Sequence, residues 1–149
     1  MLFRSELVGD NRSHPRQDLP ETIRLKGLTG QVRWHQWLTE DELGALYGRA
    51  RAFAFLSEYE GLGLTPLEAL AAGVPPLLLD TPVAHESCGP AALYVALGDL
   101  TGTTAAIETL LFDEATRARL LDAAPAVLAR YSWPRAAHET LDVIEAAAH

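Results

Sequence analysis

Three carboxylates and two glycines set one residue apart share nineteen residues of this chain, the run Ser57-Glu-Tyr-Glu-Gly-Leu-Gly-Leu-Thr-Pro-Leu-Glu-Ala-Leu-Ala-Ala-Gly-Val-Pro75. Gly61 and Gly63 flank Leu62 just before an apolar helical pattern that starts near Thr65. Glycines there let a ligand approach the backbone, and the unpaired N–H groups and dipole of a helix start favour an anion such as a phosphate or diphosphate. A tight turn without any ligand explains Gly-Leu-Gly equally well. Carboxylates complement such a site in another way, because they accept paired hydrogen bonds from vicinal hydroxyls. Acids on both sides of a phosphate cradle therefore suggest a sugar nucleotide.

The three acids are not equivalent. Glu60 precedes the glycines and has no local capping role, so it reads either as a sugar-facing acceptor or as a solvated loop acid. Thr65-Pro66-Leu67-Glu68 satisfies the capping-box pattern with proline at the first helical position, so Glu68 is either a cap or a ligand contact. Glu58 fits no spacing to the helix and reads as a bystander. Two common nucleotide motifs are excluded: Pro66 stands where Gly-x-Gly-x-x-Gly needs its third glycine, and the Gly-Lys-Ser/Thr of a P-loop is missing.

The elements that must hold this loop are legible as an alternation. Continuous apolar runs at 6–9, 32–37, 53–56, 76–79 and 93–97 read as strands of a parallel sheet covered on both faces. Between them, Asp18 predicts the cap of a short helix ending at Gly27. Thr39-Glu-Asp-Glu42 is a capping box ahead of Leu43, Leu46, Tyr47 and Ala50 at helical spacing. Later helices are expected over 103–111, over 113–130 with an interruption at Pro125, and over 133–148. Ser132 caps the last of these, and Ala137, Leu141, Ile144 and Ala148 form its apolar stripe. Such alternation predicts a doubly wound α/β sheet, in which ligands bind outside the carboxyl ends of the strands. The glycine loop follows one of those ends.

Bulk properties narrow the partners. A chain of 149 residues is one domain by the usual prior of roughly 100–200 residues, and no linker or repeat divides it. With 48% hydrophobic residues it can bury a core, and a net charge of −8 leaves no basic stripe for nucleic acid or anionic lipid. The single cysteine, Cys88, cannot form an intrachain disulfide and reads as a small buried side chain in a reducing, cytoplasmic setting. No run approaches the ~20 apolar residues of an integral membrane segment. Of the five histidines, His85 follows the 76–79 strand and is the one placed to approach a ligand there, while His35 and His138 read as packing or surface residues. No spacing forms a metal site.

With Glu60 and Glu68 separated by seven residues, the whole run resembles the signature of retaining group 1 (family 4) glycosyltransferases, in their C-terminal donor-binding domain. Three further segments are similar to that domain: Glu40-Asp-Glu-Leu-Gly-Ala-Leu-Tyr-Gly-Arg-Ala50, Pro82-Val-Ala-His-Glu-Ser-Cys-Gly-Pro-Ala-Ala-Leu-Tyr-Val95 and Tyr131-Ser-Trp-Pro-Arg-Ala-Ala137. The likeness runs from about Glu6 to the C-terminus. It implies a GT-B architecture and a Rossmann-like domain over residues 1–149. It also implies that the enzyme moves a sugar from a UDP- or GDP-linked donor to a glycan or lipid-linked acceptor, as in polysaccharide biosynthesis, with no metal or other cofactor. By the same resemblance, Glu60 is the catalytic residue of the loop and contacts hydroxyls of the transferred sugar. Backbone N–H groups of Gly61, Leu62, Gly63 and Leu64, with Thr65 at the helix start, face the diphosphate and sugar. Glu68 bonds the ribose hydroxyls, and Trp37 and Leu38 border the base.

The departures from the family pattern carry expectations of their own. The family's first strand, followed by an Arg and a Lys that neutralise the diphosphate, has no counterpart in this sequence, and residues 1–5 are too few to replace it. Arg12 and Arg16 follow the next strand and do not substitute for that pair. In the family order 3-2-1-4-5-6 the first strand is central, so its neighbours either close up or take a strand from elsewhere. The expectation is a truncated domain, inactive alone, whose partners are a nucleotide-sugar, an N-terminal acceptor domain or companion chain, or a second copy in a homo-oligomer. The rival reading is a non-catalytic remnant or interaction module that keeps the fold. A sugar-nucleotide epimerase or a phosphorylase fits less well, since neither carries the whole signature.

Overall fold

A computed structural model of the chain describes residues 4–11 and 15–148. Arg12 lies outside the described residues. The chain alternates strand and helix: β1 (Ser5–Val8), α1 (Leu19–Leu25), β2 (Val32–His35), α2 (Glu40–Tyr47), β3 (Phe53–Phe55), α3 (Leu64–Ala71), β4 (Pro76–Leu79), α4 (Pro82–Cys88) and β5 (Leu93–Val95). Three helices close it: α5 (Leu100–Phe112), α6 (Glu114–Leu128) and α7 (Trp133–Ala147). Every strand pairing is parallel, as expected for this α/β class. The pairs fall into two sheets, β1-β2 and β3-β4-β5. The chain divides into two compact units, residues 1–46 and 47–149, each with its own sheet.

In the first unit, local chemistry sets the helix starts. The Asp18 carboxylate accepts from the Glu21 N–H at 3.0 Å, and Gly27 leaves α1 in the left-handed region at φ 68°. The capping box that begins α2 forms as the sequence predicts. The Thr39 N–H donates to Glu42 Oε2 at 2.8 Å, and the Glu42 N–H donates to Thr39 Oγ1 at 3.2 Å. Between β1 and β2, His35 Nε2 meets Glu6 Oε2 at 2.7 Å, and the Trp34 indole N–H donates to the Gly9 carbonyl at 2.9 Å. No side chain of this unit is buried among the described residues.

The second unit holds the core. All four residues of β4 are buried, which is why its sequence is an unbroken apolar run. Their alternation sends Leu78 to one face, with Leu67, Leu70, Cys88, Ala91, Ala124 and Val127. Leu77 and Leu79 go to the other, with Val95, Leu110 and Leu120. Burying a leucine such as Leu77, fully inaccessible, contributes about 1.5–3 kcal/mol relative to leaving it exposed. Burial also raises the Cys88 thiol pKa above its ordinary value, so this cysteine is a packing residue, as expected.

Two expectations are corrected. Pro125 does not interrupt its helix: α6 runs through it to Leu128, and the Ala129 N–H still reaches the Pro125 carbonyl at 3.0 Å. The proline ring is on an exposed position near the helix end, where the loss of its N–H costs one bond and no packing. The stripe on α7 forms at helical spacing, but no residue of α7 is buried, and Leu141 and Ile144 remain exposed.

Candidate functional site

The loop from Leu56 to Gly63 joins the carboxyl end of β3 to α3, inside the second unit. Ser57 Oγ donates to the Tyr59 carbonyl at 3.1 Å and closes the first bend. Tyr59 then stands 92% exposed, and Glu58 beside it is also exposed. The two glycines have different causes. Gly63 is the residue before the helix, in the left-handed region at φ 76° and ψ 59°; a Cβ there would meet only Ser87 Oγ at 3.8 Å and the Pro66 ring at 4.0 Å. Conformation, not space, requires that glycine. Gly61 has an ordinary φ and open space around its Cβ position, so nothing in the fold demands glycine there.

The helix start corrects the capping-box reading of Thr65 and Glu68. α3 begins at Leu64 with Gly63 as its cap and no side-chain cap hydrogen bond, so Thr65 is already helical. Buried Pro66 sits third in the helix, a position whose N–H has no intrahelical acceptor in any case. Glu68 is thereby left without a capping partner; it is exposed, and its charge helps to raise the Tyr47 hydroxyl pKa, behind the larger effect of burial. The backbone N–H groups of Gly61, Leu62, Gly63, Leu64 and Thr65 donate to no described group. Donors thus run along the turn, and unpartnered acceptors stand at either end: Glu60, half-buried, and Glu68.

Below the turn lies a small recess of about 20 Å³, room for about one water, with walls that include Phe55, Pro66, Leu78 and Val83. Its polar lining is Ser57, Glu60, Thr81 and Ser87. Sequence reasoning missed Thr81 and Ser87, whose one legible signal was Thr81 ahead of Pro82, a helix cap. In the structure Thr81 caps α4, its Oγ1 accepting from the Ala84 N–H at 3.2 Å.

His85, singled out from its place after β4, is held by Asp80 through Nε2–Oδ1 at 2.7 Å and stacks on Tyr94 with ring centroids 3.9 Å apart. Burial raises the Tyr94 pKa far above its usual value, and its hydroxyl donates to the Gly89 carbonyl at 2.7 Å. Trp37, 75% exposed, and Leu38, half-buried, belong to the first unit. The structure therefore brings together Glu60, Gly61, Leu62, Gly63, Leu64, Thr65 and Glu68 on one loop and helix start, whereas Trp37 and Leu38 stand in the other unit.

Solved structures define the class first. The chain superimposes with a TM-score of 0.80 over 94% of its length on 37% of sucrose-phosphate synthase from Thermosynechococcus elongatus, at 22% identity. It matches 30% of the pneumococcal O-GlcNAc transferase GtfA with a TM-score of 0.74 over 98% of its own length, at 15% identity. The fold is the Rossmann-like α/β fold of GT-B glycosyltransferases. The sequence profile described as "Glycosyl transferases group 1" matches residues 6–127, and the chain belongs to that family.

Among curated relatives, the serotype-specific mannosyltransferase WbdA of Escherichia coli is 32% identical over 133 residues, 87% of this chain and 16% of its own length. The GDP-mannose:cellobiosyl-diphosphopolyprenol alpha-mannosyltransferase of Komagataeibacter xylinus is 31% identical over 140 residues, 89% of this chain and 35% of its own. The chain thus spans about a third or less of these relatives.

Proposed function

We propose that this chain supplies the donor-binding part of a retaining glycosyltransferase that takes mannose from GDP-mannose and delivers it to a glycan or lipid-linked acceptor in polysaccharide assembly. The observation that carries the reading is the loop itself: a row of unspent backbone donors from Gly61 to Thr65, bracketed by the unpartnered carboxylates of Glu60 and Glu68. A nucleotide diphosphate-sugar matches that order of groups. Its diphosphate accepts from the N–H row, its ribose hydroxyls donate to Glu68, and hydroxyls of the transferred sugar donate to Glu60. As the sugar–phosphate bond breaks, negative charge gathers on the diphosphate at the N-terminus of α3, where fixed donors and the helix dipole stabilise it. The reading assigns no metal or cofactor to this step.

The names of the mannosyltransferase relatives favour GDP-mannose over UDP-linked donors. An acceptor-binding domain, a companion chain or a second copy completes the enzyme in this proposal, and its setting is cytoplasmic. No helix among the described residues is long and apolar enough to cross a membrane.

Calorimetric titration of GDP-mannose, GDP and UDP-glucose into the chain tests the proposal. GDP-mannose is expected to bind most tightly of the three. Glu68→Ala should weaken GDP by about 10–100-fold, the loss of a charge-assisted hydrogen bond worth ~1.5–3 kcal/mol. Absence of binding by every nucleotide, also in the presence of an acceptor-domain chain, sinks the proposal in favour of a non-catalytic module.

A further inference from the structure

The recess beneath the glycine turn is small, about 20 Å³, yet four of the side chains around it are polar: Ser57, Glu60, Thr81 and Ser87. A space that admits one water needs roughly 10–15 Å³, and a water is held there when two to four polar groups surround it. The recess meets both conditions and is too small for a sugar ring. What the four side chains have already given away decides what they can still do. Ser87, 2% exposed, donates to the Ala84 carbonyl of its own helix at 3.2 Å and keeps its acceptor lone pairs. Ser57 donates to the Tyr59 carbonyl at 3.1 Å and keeps the same capacity. Thr81 accepts from the Ala84 N–H at 3.2 Å, and its own proton is given to no described group. Glu60, half-buried, has a carboxylate with no described partner.

The lining therefore holds acceptors on three residues and a donor on the fourth, and a water molecule complements that set. Its two protons go to the Glu60 carboxylate and to one of the serine oxygens, and a lone pair takes the Thr81 proton. That makes three hydrogen bonds, the usual number for an enclosed water. A half-buried carboxylate without a partner has lost solvation, and a water-mediated bond restores it at little entropic cost. We infer that the recess seats one ordered water that ties the Glu60 carboxylate to Thr81 and to Ser57 or Ser87, so that α4 and its cap hold the acid of the glycine loop in place. Thr81 and Ser87 act through the water and are positioning residues. The bearing on sugar transfer rests on the donor-site reading, in which Glu60 receives hydroxyls of the transferred sugar. The water site itself stands on the volume and the hydrogen-bond inventory alone.

A crystal structure of the whole chain that resolves ordered solvent tests the site directly. It is expected to show one water in the recess, about 2.6–3.2 Å from the Glu60 carboxylate, Thr81 Oγ1 and a serine Oγ, with Glu60 in one conformation. Thr81→Val removes the donor, so the water should leave and Glu60 should take several conformations, while Thr81→Ser should keep both features. The double variant Ser57→Ala, Ser87→Ala removes two acceptors, leaves the Thr81 cap intact and should act like Thr81→Val. It keeps α4 in place, because the Tyr94 hydroxyl still reaches the Ala84 carbonyl at 3.3 Å. In calorimetry, both disruptive variants should lose about 3–10-fold in GDP-mannose affinity relative to GDP, the worth of one neutral hydrogen bond. GDP has no sugar to meet Glu60, so its own affinity should hold; a merely structural defect would weaken both nucleotides alike.

A recess without an ordered water, a water that does not reach Glu60, or a Glu60 conformation unchanged in both disruptive variants overturns the inference, as does equal weakening of GDP and GDP-mannose. The two proposals fail separately. If neither nucleotide binds while the water joins Glu60 to Thr81, the donor-site reading falls and the water site stands. If GDP-mannose binds and the recess is dry, the reverse holds.

Discussion

The two units of this chain use the same vocabulary of short parallel strands and capped helices, yet only one of them has an interior. Residues 47–148 enclose Leu77, Leu110 and Leu120 with no accessible surface. Among the described residues of 4–46, none is buried: Leu7 and Val8, half of β1, are 40% and 45% exposed. A two-stranded sheet without an apolar face to pack is marginal on its own, whereas a three-stranded sheet with helices over both faces is self-supporting. The glycine loop and its recess belong to the unit with the interior. Their geometry is thus anchored by β4, α3 and α4, which meet in the buried cluster around Leu78 and Cys88.

The largest effect that separates the units is a core deletion. Leu77→Ala should cost about 2–5 kcal/mol by urea unfolding, while Leu7→Ala, on a strand already open to solvent, should cost about 1 kcal/mol or less. Equal costs would erase the distinction. A smaller contrast is expected in native-state hydrogen exchange. Amides of β1 and β2 should exchange through local openings well below the global free energy, and those of β4 only near it. Matching protection across both sheets would argue that the first unit has an interior after all.

The smallest effect is electrostatic. The Thr116 hydroxyl and N–H hold the Asp113 carboxylate below its ordinary pKa at the start of α6, and the Thr39 N–H and hydroxyl do the same for Glu42 at α2. A carboxylate held below its unfolded value stabilises the fold above about pH 4 and loses that contribution as pH falls through its lower folded-state pKa. Acidification below pH 4, followed by circular dichroism, should therefore fray α2 before α6, since α6 is also fixed by Leu120, Ala124 and Val127. Loss in the opposite order would break the comparison at its weakest point.

What could be read in the sequence was local. Asp18, Ser132 and the Thr39–Glu42 pair cap helices because the groups that meet are three residues apart, and such bonds form wherever the chain turns helical. The apolar run at 76–79 marks β4 because a strand buried on both faces has no polar position to spare. The same rules misread Thr65-Pro66-Leu67-Glu68. That string satisfies a capping box as well as Thr39–Glu42 does, but α3 starts earlier, with Pro66 and Leu67 buried and Gly63 turned into the left-handed region beside Ser87. Position 6–9 was legible as a strand, though its exposure was not, because apolar letters look alike whether or not anything covers them.

By itself the sequence determined the alternation of elements, the caps, the place of the loop at the end of β3 and the spacing of Glu60 and Glu68, all set within a few residues. Only the tertiary structure decided where α3 begins, which glycine is conformationally required, and that Ser57, Thr81 and Ser87 line one recess. Those outcomes depend on packing between α3, α4 and β4, and the approach of Gly63 to Ser87 spans a stretch of chain that no local rule can fold.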